Sequence, residues 1–148
     1  MSLVESRAEV ASAVFDSGFN CAQSVFSVFC EKYGIDKETA LKISSGMGAG
    51  FRSGEVCGTV ASAVLVVGLK CGQCVADDTE SKANCYAKTE EFLDDFRKRN
   101  GSIICRDLLG CDISTDDGRQ QALDRKLFDT TCDDLVRSAA TILEELGY

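Results

Sequence analysis

The sequence predicts an all-α fold, a compact single-domain helical bundle over residues 1–148 with a glycine-rich loop before a buried central helix. Proline, the strongest breaker of helices, is absent. Apolar residues recur at helical spacing along nearly the whole chain, and no segment shows the alternation typical of a strand. A chain of 148 residues is also long enough to bury a substantial core without disulfides.

The first two predicted helices each end at a glycine, Gly18 for the first and Gly34 for the second. Asn20 stands where the N-cap of the second helix belongs, and Gln23 completes a capping box. The apolar positions expected to face inward are Val4, Ala8, Ala11 and Phe15 in the first helix, and Ala22, Val25, Phe26, Phe29 and Tyr33 in the second.

A short third helix is predicted from Asp36 to about Ser45, followed by the glycine-rich loop at residues 46–54. The next helix, residues 55–70, is apolar on every side, which is typical of a helix at the centre of a core. Its apolar run is shorter than the roughly 18 residues that a bilayer span requires, so no membrane helix is expected.

The second half of the chain is predicted to be helical but more charged. The expected helices are a long one at 77–99 ended by Asn100-Gly101, a short one at 103–109 ended by Gly110, a weak one at 120–128 after a polar loop at 112–119, and a last one with Leu135, Val136, Ala139, Ile142, Leu143 and Leu146 on its apolar stripe. The long helix is expected to turn Ala83, Tyr86, Leu93 and Phe96 inward.

Composition excludes several classes of function. The formal charge of −8 disfavours nucleic acids and anionic membranes as partners. Because histidine is absent, the chain cannot build a Ser-His-Asp or Cys-His catalytic site or a zinc site with imidazole ligands. The charged residues Glu5, Arg7 and Glu9 argue against a signal peptide, so a cytoplasmic location is expected. There, nine cysteines indicate redox or metal chemistry rather than structural disulfides.

Four of the nine cysteines stand where a helix is predicted to begin. They are Cys21, Cys57, Cys105 and Cys132. Gly101-Ser102 is expected to cap the turn that carries Cys105, and Thr131 with Asp134 suggests a second capping box around Cys132. The positive end of a helix dipole lowers the pKa of a thiol, which favours a nucleophile or a metal ligand. These four are therefore the candidate site residues, with Cys57 as the expected nucleophile.

The glycine-rich loop has the wrong spacing for nucleotides. Phe51 occupies a position that a dinucleotide fingerprint reserves for glycine, and no Gly-Lys-Ser/Thr phosphate loop occurs. Two alternatives remain: a turn between packed helices, or a loop whose N–H groups, with Arg52, stabilise the Cys57 thiolate or the sulfurs of a cluster. In the second alternative Gly48, Gly50 and Arg52 flank the site.

The other five cysteines are expected to act differently. Cys71 and Cys74 form a Cys-x-x-Cys at the C-terminal end of a helix, where the dipole opposes a thiolate, so a helix end without chemistry is favoured over a secondary redox or metal role. Cys30 and Cys85 are predicted to be buried packing residues. Cys111 follows Gly110 in a loop and has no assigned role.

Several motifs together resemble the C-GCAxxG-C-C family of redox-active proteins. They are Gly18-Phe19-Asn20-Cys21-Ala22, the glycine-rich loop, Cys57-Gly58-Thr59-Val60-Ala61-Ser62, Gly68-Leu69, the stretch Gly101-Ser102-Ile103-Ile104-Cys105-Arg106-Asp107-Leu108-Leu109-Gly110, and Cys132. The resemblance spans residues 5–146 and departs from the signature at Thr59 and Ser62, where the family has alanine and glycine. It implies cysteine-based redox chemistry at the four cysteines named above. It also implies a relation to split-Soret cytochromes, which carry an iron–sulfur cluster.

Three functions fit these observations. The first is a thiol-dependent oxidoreductase in which one low-pKa thiolate attacks an oxidised small substrate or a partner protein's disulfide and a second resolves the product. The second is an electron-transfer protein that binds an iron–sulfur cluster through Cys21, Cys57, Cys105 and Cys132. The third is a structural zinc domain with the same ligands. The sequence leaves the substrate, the redox partner and the oligomeric state open.

Overall fold

A computed structural model of the chain describes residues 5–148, and the predicted all-α fold is confirmed. Within that range the backbone forms eight α-helices and no β-strand. The helices are α1 (Arg7–Asp16), α2 (Cys21–Phe29), α3 (Lys37–Ser44), α4 (Gly58–Cys71), α5 (Thr79–Asn100), α6 (Cys105–Leu109), α7 (Asp116–Asp124) and α8 (Thr131–Glu145). Val4, the first residue of the predicted stripe of α1, lies outside the described residues.

Helix α4 is the centre of the bundle. It packs against α2, α5 and α8, while α1 lies across α2 and α8. Its side chains Val60, Ala63, Val66 and Val67 are almost completely buried, which explains why its sequence is apolar on every side. None of the helices in residues 5–148 combines the length and the apolar composition that a bilayer span requires.

The apolar interior consists of a large cluster around α4 and a smaller one formed by α6, α7 and the residues that follow each of them. Cys57 belongs to the large cluster and Cys105 to the small one. Cys21 packs against the large cluster, and Cys132 packs against the small one. The candidate site therefore lies where the two clusters meet.

The start of α4 differs from the predicted one. Glu55 and Val56 are not helical, because this segment pairs with the segment before α6 in a single antiparallel bridge between Val56 and Ile104. The Cys57 N–H donates to the Ile103 carbonyl oxygen at 2.8 Å, and the Cys105 N–H donates to that of Glu55 at 2.6 Å. This bridge fixes the position of Cys57 relative to Cys105.

Two further expectations about the second half were wrong. Helix α7 begins at Asp116, inside the predicted loop, because the Thr115 hydroxyl accepts from the Gly118 N–H at 3.0 Å and caps the helix. The inward face predicted for helix α5 is right towards its C-terminal end, where Phe96 is fully buried and Leu93 packs against the large cluster. It is wrong towards its N-terminal end, where Ala83 is exposed and Tyr86 is 62% exposed. Phe92, which was not predicted to face inward, is fully buried.

Candidate functional site

The four candidate cysteines lie at the N-terminal ends of four different helices. Cys21 is the first residue of α2, Cys57 is the N-cap of α4, Cys105 is the first residue of α6, and Cys132 is the second residue of α8. The predicted capping box of α2 is present: the Gln23 N–H donates to the Asn20 side chain at 2.9 Å. Asn20 thereby sets the direction in which Cys21 enters the helix.

The other predicted caps were wrong in detail. Helix α6 has Ile104 as its N-cap, and Ser102 instead uses its hydroxyl to accept from the Ile104 N–H at 3.0 Å. Helix α8 begins at Thr131 after the N-cap Thr130, without a side-chain capping bond. Cys132 is held by its own backbone, whose N–H donates to the Leu127 carbonyl oxygen at 2.8 Å.

The four cysteines line one cavity of about 270 Å³, which we call the cysteine cavity. Its wall also includes apolar side chains of both clusters, the loop residues Gly48, Gly50 and Arg52, and the side chains of Arg119 and Phe128. The Arg119 guanidinium lies 6.0 Å from the centre of the Phe128 ring. The fold thus brings together thiols that are far apart in the sequence.

Two glycines allow the backbone to approach these thiols closely. A Cβ atom at Gly58, the first residue of α4, would lie 2.6 Å from the sulfur of Cys21. A Cβ atom at Gly50 would lie 2.9 Å from the Cβ of Cys105, and Gly50 has a φ of +60°. Glycine is therefore required at both positions, because any other residue would occupy the space of a site cysteine.

The loop before α4 contains a left-handed turn. Residues 49–52 all have positive φ, with values of 55° at Ala49, 59° at Phe51 and 56° at Arg52. The left-handed conformation costs a non-glycine residue roughly 1–2 kcal/mol, so this turn stores strain beside the cysteine cavity. The strained geometry has a local use, since the Ala49 N–H is directed at the sulfur of Cys21.

Phe51 allows this strain to be measured. Its side chain is 48% exposed, so its removal costs little packing. We expect Phe51→Gly to unfold at higher urea concentration than Phe51→Ala, by about 1 kcal/mol in the free energy of unfolding, because only glycine adopts this φ without strain. Equal stabilities of the two variants would show that the turn is relaxed.

The expectation of lowered thiol pKa values was wrong. Burial, followed by the neighbouring Cys57, raises the pKa of Cys21 to about 12. Burial likewise raises the pKa of Cys105 to about 12 and the pKa values of Cys57 and Cys132, which lie in the same cavity. Nearby N–H groups lower the pKa values of Cys21 and Cys57, but by less than burial raises them. At these helix starts burial therefore has a larger effect on the thiol pKa values than the nearby N–H groups have.

A family model with the description "Putative redox-active protein (C_GCAxxG_C_C)" matches residues 19–146 and includes all four cysteines. The chain belongs to this family. The match confirms the family that the sequence resemblance indicated. No curated protein and no solved structure matches the chain significantly.

The structure gives a physical role to Thr59, one of the two departures from the family signature. Its side chain is fully buried, and its hydroxyl oxygen lies 3.1 Å from the sulfur of Cys57. This hydroxyl lowers the pKa of Cys57, against the larger effect of burial. Ser62, the other departure, is also fully buried and donates to the Thr59 carbonyl oxygen at 3.2 Å. The hydroxyl groups of Thr59 and Ser62 therefore both have hydrogen-bond partners, the first at the Cys57 sulfur and the second within α4.

Cys111 is a neighbour of the site that sequence reasoning left unassigned. Its thiolate form raises the pKa values of both Cys105 and Cys132, and its side chain packs against the smaller apolar cluster. The available signal was its short distance along the chain from Cys105. Arg119 could not have been found from the sequence, because it comes from a segment expected to be a loop.

The remaining cysteines lie away from the cavity. Cys30 is fully buried in the large cluster, as predicted. Cys85 was expected to be a buried packing residue, but it is only partly buried. Cys71 is also partly buried, whereas Cys74 is exposed.

The cavity cysteines are not arranged around a single point. Among residues 5–148, no group of three or more cysteine, aspartate or glutamate side chains is close enough to hold one metal ion. A tetrahedral zinc ion with zinc–sulfur bonds of about 2.3 Å needs ligand sulfurs roughly 3.8 Å apart. The donor set of four thiols nevertheless suits a larger, thiolate-bound group that fills more of the cavity.

Proposed function

We propose that Cys21, Cys57, Cys105 and Cys132 hold an iron–sulfur cluster and that the protein transfers electrons. The observation that carries this proposal is the convergence of four largely buried thiols, one from each of four helix starts, on a single cavity of about 270 Å³. Four cysteine thiolates are the usual ligands of such clusters. When bound, the cluster would accept and release one electron at a time.

The ionisation of the thiols favours ligands over nucleophiles. A nucleophile in disulfide exchange needs a useful fraction of thiolate near neutral pH. Burial acts against this by raising the pKa of each of the four thiols. A bound metal favours the thiolate over the thiol, because coordination deprotonates a thiol outright.

The cavity also suits the negative charge of a thiolate-bound cluster. Four helix starts direct partial positive charge towards it. N–H groups of Ala22 and Ala49 are directed at the sulfur of Cys21, and those of Thr59 and Val60 at the sulfur of Cys57. Hydrogen bonds of this kind, together with the Thr59 hydroxyl, set the reduction potential of a cluster. The position between the two apolar clusters limits the access of water, most of all to Cys57 and Cys105, which are buried.

The decisive experiment is anaerobic reconstitution of the reduced protein with ferrous iron and sulfide. We expect a brown protein with visible absorbance and stoichiometric iron, which a chelator removes together with the colour. Cys57→Ser and Cys105→Ser should each lose most of the iron, because a serine hydroxyl does not replace a thiolate ligand. Cys74→Ser, which changes an exposed cysteine away from the cavity, should retain it.

A second candidate is a dithiol that reduces a small oxidised substrate, and the partial exposure of Cys21 and Cys132 favours it. Two thiols would form a disulfide and give two protons and two electrons to the substrate. The dithiol function would be correct, and the cluster wrong, if the protein stays colourless and takes up no iron. In that case mild oxidation should form a disulfide between two cavity cysteines.

A further inference from the structure

A second group of cysteines lies at the opposite end of α4 from the cysteine cavity. Cys57 precedes the first residue of α4 and Cys71 is its last. A helix of 14 residues is about 21 Å long, so the two sites are well separated. The second group consists of Cys71, Cys85 and Cys74.

Cys71 and Cys85 face each other between two neighbouring helices. Helix α4 packs against α5, and Cys85 lies in the second turn of α5. The Cys85 thiol is near enough to the Cys71 thiol to raise its pKa, and both residues pack against the large apolar cluster. The Cys71 thiol also donates to the Val67 carbonyl oxygen at 3.1 Å. The two sulfurs are thus held side by side although 14 positions separate them in the sequence.

The pair is covered on one side by Tyr148. This residue is 7% exposed, and it lies near enough to Cys71 for each group to shift the pKa of the other. Lys70 holds the covering segment in place, because its ammonium group donates to the Gly147 carbonyl oxygen at 2.8 Å and lies 5.1 Å from the Tyr148 ring centre. A bulky oxidant therefore cannot approach Cys71 from this side.

Cys74 offers an exposed thiol three residues beyond Cys71. The chain leaves α4 at Gly72, whose N–H donates to the Gly68 carbonyl oxygen at 2.8 Å. A Cβ atom at Gly72 would lie 2.5 Å from that same oxygen, so this close approach favours glycine. Gly72 itself is extended, so Cys74 lies beyond the end of α4 and not within the helix.

We propose that Cys71 and Cys85 form a second redox site, a dithiol that is oxidised by low-molecular-weight disulfides through the exposed thiol of Cys74. The Cys74 thiolate attacks the disulfide RSSR, forms a mixed disulfide with one half and releases the other as RS⁻. The Cys71 thiolate then attacks the Cys74 sulfur and releases the second RS⁻. Finally the Cys85 thiolate attacks Cys71, which leaves a Cys71–Cys85 disulfide and a free Cys74.

The exchange is balanced: two protein thiols lose two protons and two electrons, and RSSR becomes two thiols. Burial raises the pKa of Cys71, which is consistent with the exposed Cys74 reacting first. The proposal does not depend on the cluster, since none of its residues lines the cysteine cavity.

The test uses the full chain treated with glutathione disulfide, followed by alkylation of free thiols, trypsin digestion and mass spectrometry. Cleavage after Lys70, Lys82 and Lys88 places Cys71 and Cys74 together on peptide 71–82 and Cys85 on peptide 83–88. We expect these two peptides to be disulfide-linked, with fragmentation assigning the link to Cys71. Cys74→Ser should slow formation of the link at least tenfold without preventing it.

Three results would contradict the proposed Cys71–Cys85 site. They are a final disulfide within peptide 71–82, a disulfide from Cys74 to Cys85, and no disulfide at all. An unchanged rate in Cys74→Ser would overturn the role of Cys74. Cys30→Ser, which changes a buried cysteine of the same core, is the matched control and should leave both the link and its rate unchanged. Cys57→Ser should also leave both unchanged, which separates this result from the outcome of the iron experiment.

Discussion

The metal-free, reduced protein should lose stability steeply between pH 9 and pH 12. A thiol whose pKa is raised by folding holds its proton more tightly in the native state than in the unfolded chain. The native state then binds more protons, and the free energy of unfolding falls as the pH rises through this window. Below pH 9 the contribution of these thiols is fully present.

The expected loss is large. Burial raises the pKa values of Cys21 and Cys105 from 9.0 to about 12, and one pKa unit corresponds to about 1.4 kcal/mol. We expect the free energy of unfolding to fall by at least about 4 kcal/mol across the window. Most domains have only 5–15 kcal/mol of stability in total. Urea unfolding at a series of pH values from 8 to 11.5, under reducing conditions and with chelator, measures the slope.

Other groups also titrate between pH 9 and pH 12, so a variant is needed to measure the contribution of the cavity thiols to the loss of stability. The pKa of Tyr148 is also raised to about 12, chiefly by burial. The double variant Cys21→Ser/Cys105→Ser should have a shallower slope than wild type, whereas Cys74→Ser should not differ from it. If the double variant matches wild type, the cavity thiols do not resist ionisation, and a thiolate nucleophile becomes the better explanation of the site.

The start of α2 was predictable because it depends on local chemistry. Asn20 and Gln23 form their capping box within four residues, so the position of Cys21 could be inferred from the sequence. The glycine stops were equally local: Gly101 and Gly110 adopt the left-handed conformation that ends α5 and α6. Gly34 does the same, although α2 already ends at Phe29 and Gly34 ends the short 3-10 segment Glu31–Tyr33 that follows.

The thiol pKa values were not predictable in the same way. The helix dipole is a property of one helix, but burial depends on how α2, α4, α6 and α8 come together. At this site burial has the larger effect, and it acts in the opposite direction. A sequence argument that counts only the local field therefore gives the wrong sign for an enclosed site.

The face of α5 and the start of α7 were mispredicted for different reasons. Tyr86 and Cys85 are adjacent, so a small error in the assumed helix rotation exchanges an exposed residue for one that contacts Cys71. In α7, the signal was present in Thr115 and Gly118, but the acidic residues between them are equally typical of a polar loop. The left-handed turn at 49–52 had no sequence signal, because three of its four residues are not glycine.

Gly58→Ala should disrupt the site more than any other single methyl group added to α4. The new Cβ would lie 2.6 Å from the Cys21 sulfur and 2.9 Å from the Met47 carbonyl oxygen, so both α2 and the loop would have to move. Overpacking of this kind costs about 1–3 kcal/mol. We expect a lower urea midpoint and loss of most of the iron after reconstitution.

Gly68→Ala is the control within the same helix. A Cβ at Gly68 would meet no atom within 4 Å, so the substitution should stabilise α4 by about 0.5–1 kcal/mol through its better helix propensity and leave iron binding intact. If both variants are stabilised alike, α4 and Cys21 are not in contact as described.

A double-mutant cycle tests the contact itself, even if Gly58→Ala folds poorly. Removing the sulfur with Cys21→Ala takes away the atom that the new methyl group would meet. The double variant Cys21→Ala/Gly58→Ala should therefore recover part of the stability that Gly58→Ala loses, with a coupling of about 1 kcal/mol or more between the two positions. Simple additivity would mean that the methyl group is opposed by the Met47 carbonyl oxygen and the Ala22 Cβ and not by the sulfur, and that Gly58 is not needed to make room for the sulfur.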